Sequence, residues 1–236
     1  MSAWKRWGLN VLESKAPSFW MVGVRFVLLV FSWVYELLIR WVWPLMIRPV
    51  RLEKPVVSIG NLTWGGTGKT PLTAHLAKQL STQGVKVAIV LRGYGGDEPM
   101  VYQRLVPKIP FYTGKDRLLQ ARRAIAEGAD LILLDDGFQH RRLDRDLDWV
   151  LVDGVAPFGN GHLIPRGSLR EPTSHLSRAD VVIVNQTGGA MAPEARTQIQ
   201  ALAPKALMAE VKAVPDQLVE WIQEREFPLE SIEGQR

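Results

Sequence analysis

Within fourteen residues, Ser58 to Pro71, the sequence reads SIGNLTWGGTGKTP. Four glycines crowd around one lysine directly after the apolar run Pro55-Val56-Val57. Gly65, Gly66 and Gly68 let the backbone turn its amides inward, where a side chain would intrude, and a helix starting near Thr70 adds its positive N-terminal end. The guest suited to a loop of Thr63, Trp64, Gly65, Gly66, Thr67, Gly68, Lys69 and Thr70 is a polyphosphate. Lys69 reaches the outer phosphates, and the Thr70 hydroxyl can ligate Mg2+. The general pattern G-x-x-x-x-G-K-[ST] places its first glycine at position 63, where this chain has Thr63, so the match is to the second half of that motif. A second stretch, LILLDDGFQH from Leu131 to His140, ends an apolar run in two adjacent carboxylates. Hard cations take oxygen ligands, so Asp135 or Asp136 would hold the ion, directly or through water. Paired acids at a strand end also serve as a turn and helix cap; the nearby glycine loop favours the metal reading.

These groups must be held by a scaffold, and the pattern from Pro55 onward supplies one. Short runs rich in Val, Ile and Leu (56–59, 85–91, 131–134, 149–152, 181–184) alternate with helical stretches at 71–83 and 117–127. The runs show little polar alternation, as strands buried on both faces do. The expected fold is α/β: a mostly parallel, P-loop-type sheet covered by helices, with ligands beyond the carboxyl ends of the strands. The run HRRLDRDLD reads as an exposed, salt-bridged turn, and His75, His162 and His175 as structural.

Residues 1–54 differ in character from residues 55–236, which suggests a division at that point. The first segment carries eight basic and three acidic side chains and accounts for the whole formal charge of +5; the remainder holds twenty-one of each sign. A basic groove for nucleic acid therefore has no support. Six of the nine tryptophans fall in the first fifty residues among Phe, Leu, Val and Arg, a composition of membrane interfaces. Arg25, Glu36 and Arg40 interrupt the apolar stretch, so residues 16–48 are read as a membrane-surface helix in preference to a full span, with a helix buried on the domain's own core as the alternative. The chain has no cysteine, which suits a reducing compartment.

The blocks GNLTWGGTGKTP, RGYGG, GDEP, DDGFQHRRLDRDLD and FGNGHLIPRGSLREP, in this order, resemble the tetraacyldisaccharide 4'-kinase family of lipid A biosynthesis. The resemblance implies a P-loop kinase at the cytoplasmic face of the bacterial inner membrane. Such an enzyme uses ATP and Mg2+ to phosphorylate the 4' hydroxyl of a tetraacylated glucosamine disaccharide 1-phosphate. It also implies that Asp97 of GDEP assists deprotonation of the acceptor, with Glu98 close by and Lys69 neutralising charge. Tyr94, Arg117, Gln139, His140 and Arg170 match family positions around nucleotide and acceptor. Without the family, Arg117 reads equally as a solvated helix start, Tyr94 as a core aromatic and His140 as a turn residue.

Two departures from the family pattern shape the expectation. RGYGG runs directly into Asp97, where the family has a variable intervening stretch, and the family's C-terminal lobe, with a histidine that pairs with the catalytic aspartate, finds no match. ATP and Mg2+ binding with weak transfer is therefore expected, and the oligomeric state is left open. Two rival readings are a membrane-tethered ATP-binding module without transfer and a membrane-partitioning ATPase with a deviant Walker loop. The latter class carries a signature lysine where this chain has Trp64.

Overall fold

The computed structural model describes residues 18–93, 97–214, 218–220 and 225–227. Seven parallel strands form one sheet in the order β3-β2-β4-β1-β5-β6-β7. They are β1 (Val56–Asn61), β2 (Val87–Leu91), β3 (Phe111–Thr113), β4 (Leu131–Asp135), β5 (Leu147–Asp153), β6 (Val181–Asn185) and β7 (Leu207–Val211). Two short strands, β8 (Leu218–Glu220) and β9 (Arg225–Phe227), pair antiparallel in a separate sheet.

Successive strand residues feed opposite faces of the sheet, and both faces are covered. Val57, Ile59, Val87, Ile89 and Leu133 pack on one side with α2 (Lys69–Thr82) and with Tyr102 of α3 (Asp97–Leu105). Val56, Ala88, Val90, Ile132 and Leu134 pack on the other with α4 (Arg117–Ala126). Each fully buried Val, Ile or Leu contributes about 1.5–3 kcal/mol, which is why these runs contain no polar alternation. Small residues Thr73, Ala74 and Ala77 let α2 lie close to the sheet. A last helix, α5 (Pro193–Leu202), buries Ile199 in a third core cluster around Phe138, Val150 and Val182.

The topology selects the functional end. From β1 the chain builds β2 and β3 to one side, returns to insert β4 beside β1, then adds β5, β6 and β7 on the other side. Loops after β1 and β4 thus leave neighbouring strand ends in a crevice of the kind where α/β sheets bind ligands.

The N-terminal helix α1 (Phe19–Leu37) continues through a π-helical turn over Leu38–Val42 into Trp43–Met46. Phe19–Met46 is long and apolar enough to cross a membrane; its most apolar stretch has a mean hydropathy of 1.9 and is only 11% buried. A narrow face, Ser32, Tyr35 and Ile39, docks on the domain. The Ser32 hydroxyl donates to the Leu163 carbonyl at 2.8 Å and accepts from the Arg166 amide at 3.1 Å; the Tyr35 hydroxyl donates to the Arg170 carbonyl at 3.0 Å. The alternative of a helix buried on the core is not what the structure has. The reading of HRRLDRDLD as an exposed turn also needs correction: Leu143 is fully buried, and the side chains of the Arg145–Asp148 pair, 2.9 Å apart, are nearly so, because Leu143 packs into the core cluster that the central strands share with α4.

Candidate phosphate and metal site

Beyond β1 the chain forms a loop braced from three sides. Asn61 Nδ2 donates to the Thr67 hydroxyl at 3.0 Å, and Asn185 Nδ2, at the end of β6, donates to the Thr67 carbonyl at 2.9 Å. The Trp64 amide donates to the Ser168 carbonyl at 2.6 Å, while Thr63, almost buried, bridges to Leu169. Gly68 then caps α2 with φ +90°, a left-handed conformation, and a Cβ there would sit 2.7 Å from Asn185 Nδ2. Only glycine satisfies both conditions. A cleft of about 460 Å³ opens along Trp64–Pro71 and is closed by Asp135, Asp136 and Arg170.

The two acids at the end of β4 have different surroundings. Asp135 is 3% exposed; its Oδ2 accepts from the Tyr102 hydroxyl at 2.7 Å and from the Thr70 hydroxyl at 3.3 Å, while its Oδ1 has no hydrogen-bond partner. Burial pushes its carboxyl above the usual range. Asp136 takes the left-handed conformation (φ 52°), which is rare for a residue with a side chain and tolerated best by Asp and Asn. Arg117, 5% exposed, donates to its carbonyl at 2.7 Å, and Arg170 grips its carboxylate with a fork at 2.7 and 2.9 Å. Burial pushes the Asp136 carboxyl up, but Arg170, Lys69 and Arg117 outweigh it and hold it at about 2. Lys69 Nζ stands 3.5 Å from Asp136 Oδ1, its own pKa lowered by burial against the pull of that carboxylate.

This donor set fits Mg2+. A buried carboxylate oxygen without a partner adjoins a threonine hydroxyl, and among the described residues no group of three or more His, Cys, Asp or Glu could hold a metal alone. Mg2+ is commonly held in that way, by one or two carboxylates with waters and substrate phosphates completing its shell.

The sequence-named residues are distributed as follows. Lys69, Thr70, Asp135, Asp136 and Arg170 converge on the cleft, whereas Arg117 is buried behind it on the Asp136 carbonyl. Gln139 lies beside them, its Nε2 donating to the Asn61 carbonyl at 2.9 Å. His140 sits one residue further along; burial, then Arg117 and Arg145, bring its pKa down to about 4, and its Nε2 is buried without a partner. Gly65 and Gly66 are exposed at the cleft rim. Trp64, 74% exposed, borders both the cleft and an apolar groove of about 620 Å³ formed with Phe31, Val34, Leu38 and Pro165. Asp97 and Glu98 begin α3, but their side chains, and Tyr94 entirely, lie outside the described residues.

Sequence reasoning missed Tyr102, Asn61, Asn185 and a buttress around Glu171. That carboxylate, almost fully buried, meets Arg178 at 2.6 Å, His175 at 2.7 Å and Arg141 at 3.1 Å, and the Arg178 guanidinium lies 4.1 Å from the centre of the Phe138 ring. The buttress fastens the segment bearing Arg170 to the loop bearing Asp136 and Gln139. Of these, Asn61 and Glu171 had a signal, their places within the quoted GNLTWGGTGKTP and FGNGHLIPRGSLREP blocks, whereas Tyr102 and Asn185 had none.

Comparison with known proteins agrees with this geometry. The family described as LpxK: Tetraacyldisaccharide-1-P 4'-kinase matches residues 24–96 and 95–233, the two matches meeting where RGYGG runs into GDEP. The chain is 48% identical over 169 residues to tetraacyldisaccharide 4'-kinase of Syntrophus aciditrophicus, covering 61% of this chain and 45% of the relative. It is 40% identical over 217 residues to that of Anaeromyxobacter dehalogenans (strain 2CP-C), covering 81% and 57%. The chain thus spans about half the length of the curated relatives it matches. A crystal structure of LpxK from Aquifex aeolicus in complex with ATP superposes with a TM-score of 0.68 at 27% identity, covering 89% of this chain and 71% of that one.

Proposed function

The chain belongs to the LpxK family of tetraacyldisaccharide-1-P 4'-kinases, and from that premise we propose that it binds ATP with Mg2+ in the cleft and phosphorylates the 4' hydroxyl of an acylated glucosamine disaccharide 1-phosphate. One observation carries the reading: the glycine loop with Lys69 and Thr70 faces the acid pair ending β4 across a single cleft. Phosphoryl transfer asks mainly for positioning and charge neutralisation, which these groups supply. Loop amides and Lys69 receive the phosphate oxygens. Asp135 and Thr70 would hold Mg2+, which when bound neutralises charge on the phosphates. Arg170, on the cleft wall, brings a guanidinium charge beside the phosphate oxygens, and Arg117 holds the main chain of Asp136 from behind. Asp97, opening α3, is the proposed acceptor of the 4' hydroxyl proton, with Glu98 beside it in sequence; Tyr94, Gln139 and His140 are assigned to the substrate's surroundings.

The division at residues 54 and 55 separates a membrane-associating segment from the kinase domain. Helix α1 and its continuation to Met46 rest in the interface at the cytoplasmic side of the inner membrane, where ATP is present, with Phe26, Trp33 and Trp41 in lipid. The apolar groove between α1 and Trp64 then receives acyl chain next to the phosphate loop. The test is incubation of the chain in detergent with γ-labelled ATP, Mg2+ and the disaccharide 1-phosphate. Label in a bisphosphorylated lipid is expected; bound ATP without labelled lipid would favour the tethered binding module.

A further inference from the structure

The metal carboxylate and the helix that begins at Asp97 are joined by one hydrogen bond. Tyr102 is fully buried on α3, and its hydroxyl donates to Asp135 Oδ2 at 2.7 Å, across 33 residues of chain. The Thr70 hydroxyl reaches the same oxygen at 3.3 Å, so Oδ2 is engaged twice while Oδ1 has no partner. A carboxylate held by one oxygen has its rotation stopped, and the other oxygen is then offered in a single orientation. Tyr102 itself is fixed by packing: it belongs to the core cluster of Ile89 and Leu133 and lies 6.4 Å from the Phe111 ring.

We propose that Tyr102 is a positioning residue that orients Asp135 for Mg2+ and couples metal occupancy to the placement of α3, whose first residue is Asp97; this rests on the kinase reading above. The consequence is directional. Anything that draws Asp135 toward a cation pulls on the phenol, and among the described side chains of α3 Tyr102 is the buried one that anchors the helix to the core, so the helix follows it. Metal binding and placement of the candidate base become one event instead of two, so a nucleotide without its cation leaves α3 uninstructed. A purely packing role for the ring needs no hydroxyl, and that difference makes the idea testable.

Equilibrium binding of a non-hydrolysable ATP analogue is measured for the whole chain and for Tyr102→Phe, once with Mg2+ and once with EDTA. A hydrogen bond to a charged group implies that the variant loses about tenfold of the affinity gained from Mg2+, with binding in EDTA unchanged. An equal Mg2+ gain in both proteins, or an equal loss with and without metal, would overturn the proposal. Should the variant fail to fold, the unaltered chain decides by ¹⁹F spectra of 3-fluorotyrosine at its four tyrosines. The Tyr102 resonance, assigned by elimination with Tyr35→Phe, Tyr94→Phe and Tyr112→Phe, is expected to move on adding analogue with Mg2+ and to stay in place with analogue in EDTA. An identical spectrum in both conditions would overturn the coupling. An unaltered chain that binds analogue equally with and without Mg2+ keeps the nucleotide reading and sinks only this inference, whereas one that binds no analogue sinks both.

Discussion

The strand core and helix α1 are built from much the same residues and are used in opposite ways. In β1, β2 and β4 the side chains of Val, Ile and Leu are withdrawn from water on both faces, and that rigid sheet holds charged groups at its carboxyl end. In the N-terminal helical stretch Phe19–Met46 a similar load of Val, Leu, Phe and Trp is turned outward, Trp33 being 57% and Trp41 68% exposed, while Ser32, Tyr35 and Ile39 are turned to the domain. Exposed apolar surface of this extent on a helix marks a contact with something other than water. Under the proposed function the molecule addresses two media from adjoining surfaces, a polyphosphate in the cleft and hydrocarbon along the helix, and Trp64 lines both the cleft and the apolar groove.

Substitutions can separate the two halves of that comparison. The largest effect is expected from Asp135→Asn, which preserves shape and removes the charge offered to Mg2+: transfer should fall about 100-fold or more, read from labelled lipid. Melting temperature should hold or rise, because burial already disfavours that carboxylate. Trp33→Glu combined with Trp41→Glu should reduce co-sedimentation with anionic lipid vesicles about 100-fold, with ATP binding in solution untouched. Loss of ATP binding in that variant would mean that the helix supports the domain instead of addressing lipid. Asn185→Ala removes one brace of the phosphate loop and should raise KM for ATP about three- to tenfold, with kcat less affected.

The smallest effect concerns pH. Burial, followed by Arg117 and Arg145, brings His140 from 6.5 to about 4. Between those values the unfolded chain binds the extra proton and the folded one does not, so stability falls as pH falls through that window. His140→Asn should flatten this part of the melting temperature against pH; an unchanged slope would show that the ring is open to solvent in solution.

How much of this was readable in the sequence depended on whether the determining contacts were local. The strands of the buried sheet announced themselves because double-sided burial leaves unbroken apolar runs, and their ends fell within two residues of those expected. Strand β3 is three residues long after Pro110, and β7, with Glu210 and an exposed Leu207, has no such run to show. Lys69, Thr70 and the acid pair were legible as two short motifs. Tyr102 and Asn185 were not, since each acts on a partner 33 or 118 residues away and neither belongs to a recurrent spacing. The buried Arg145–Asp148 pair was misjudged for a related reason: a charge run looks solvated until the fold covers it.

The central claim is that the loop from Thr63 to Thr70 holds a triphosphate opposite Asp135 and Asp136. Equilibrium binding of ATP in the presence of Mg2+, compared between the unaltered chain and Lys69→Ala, tests it most directly. The account predicts one saturable site, weakened roughly 10- to 100-fold by the substitution, as expected for a lost charge-assisted contact to phosphate. Equal affinity in the two proteins would contradict it.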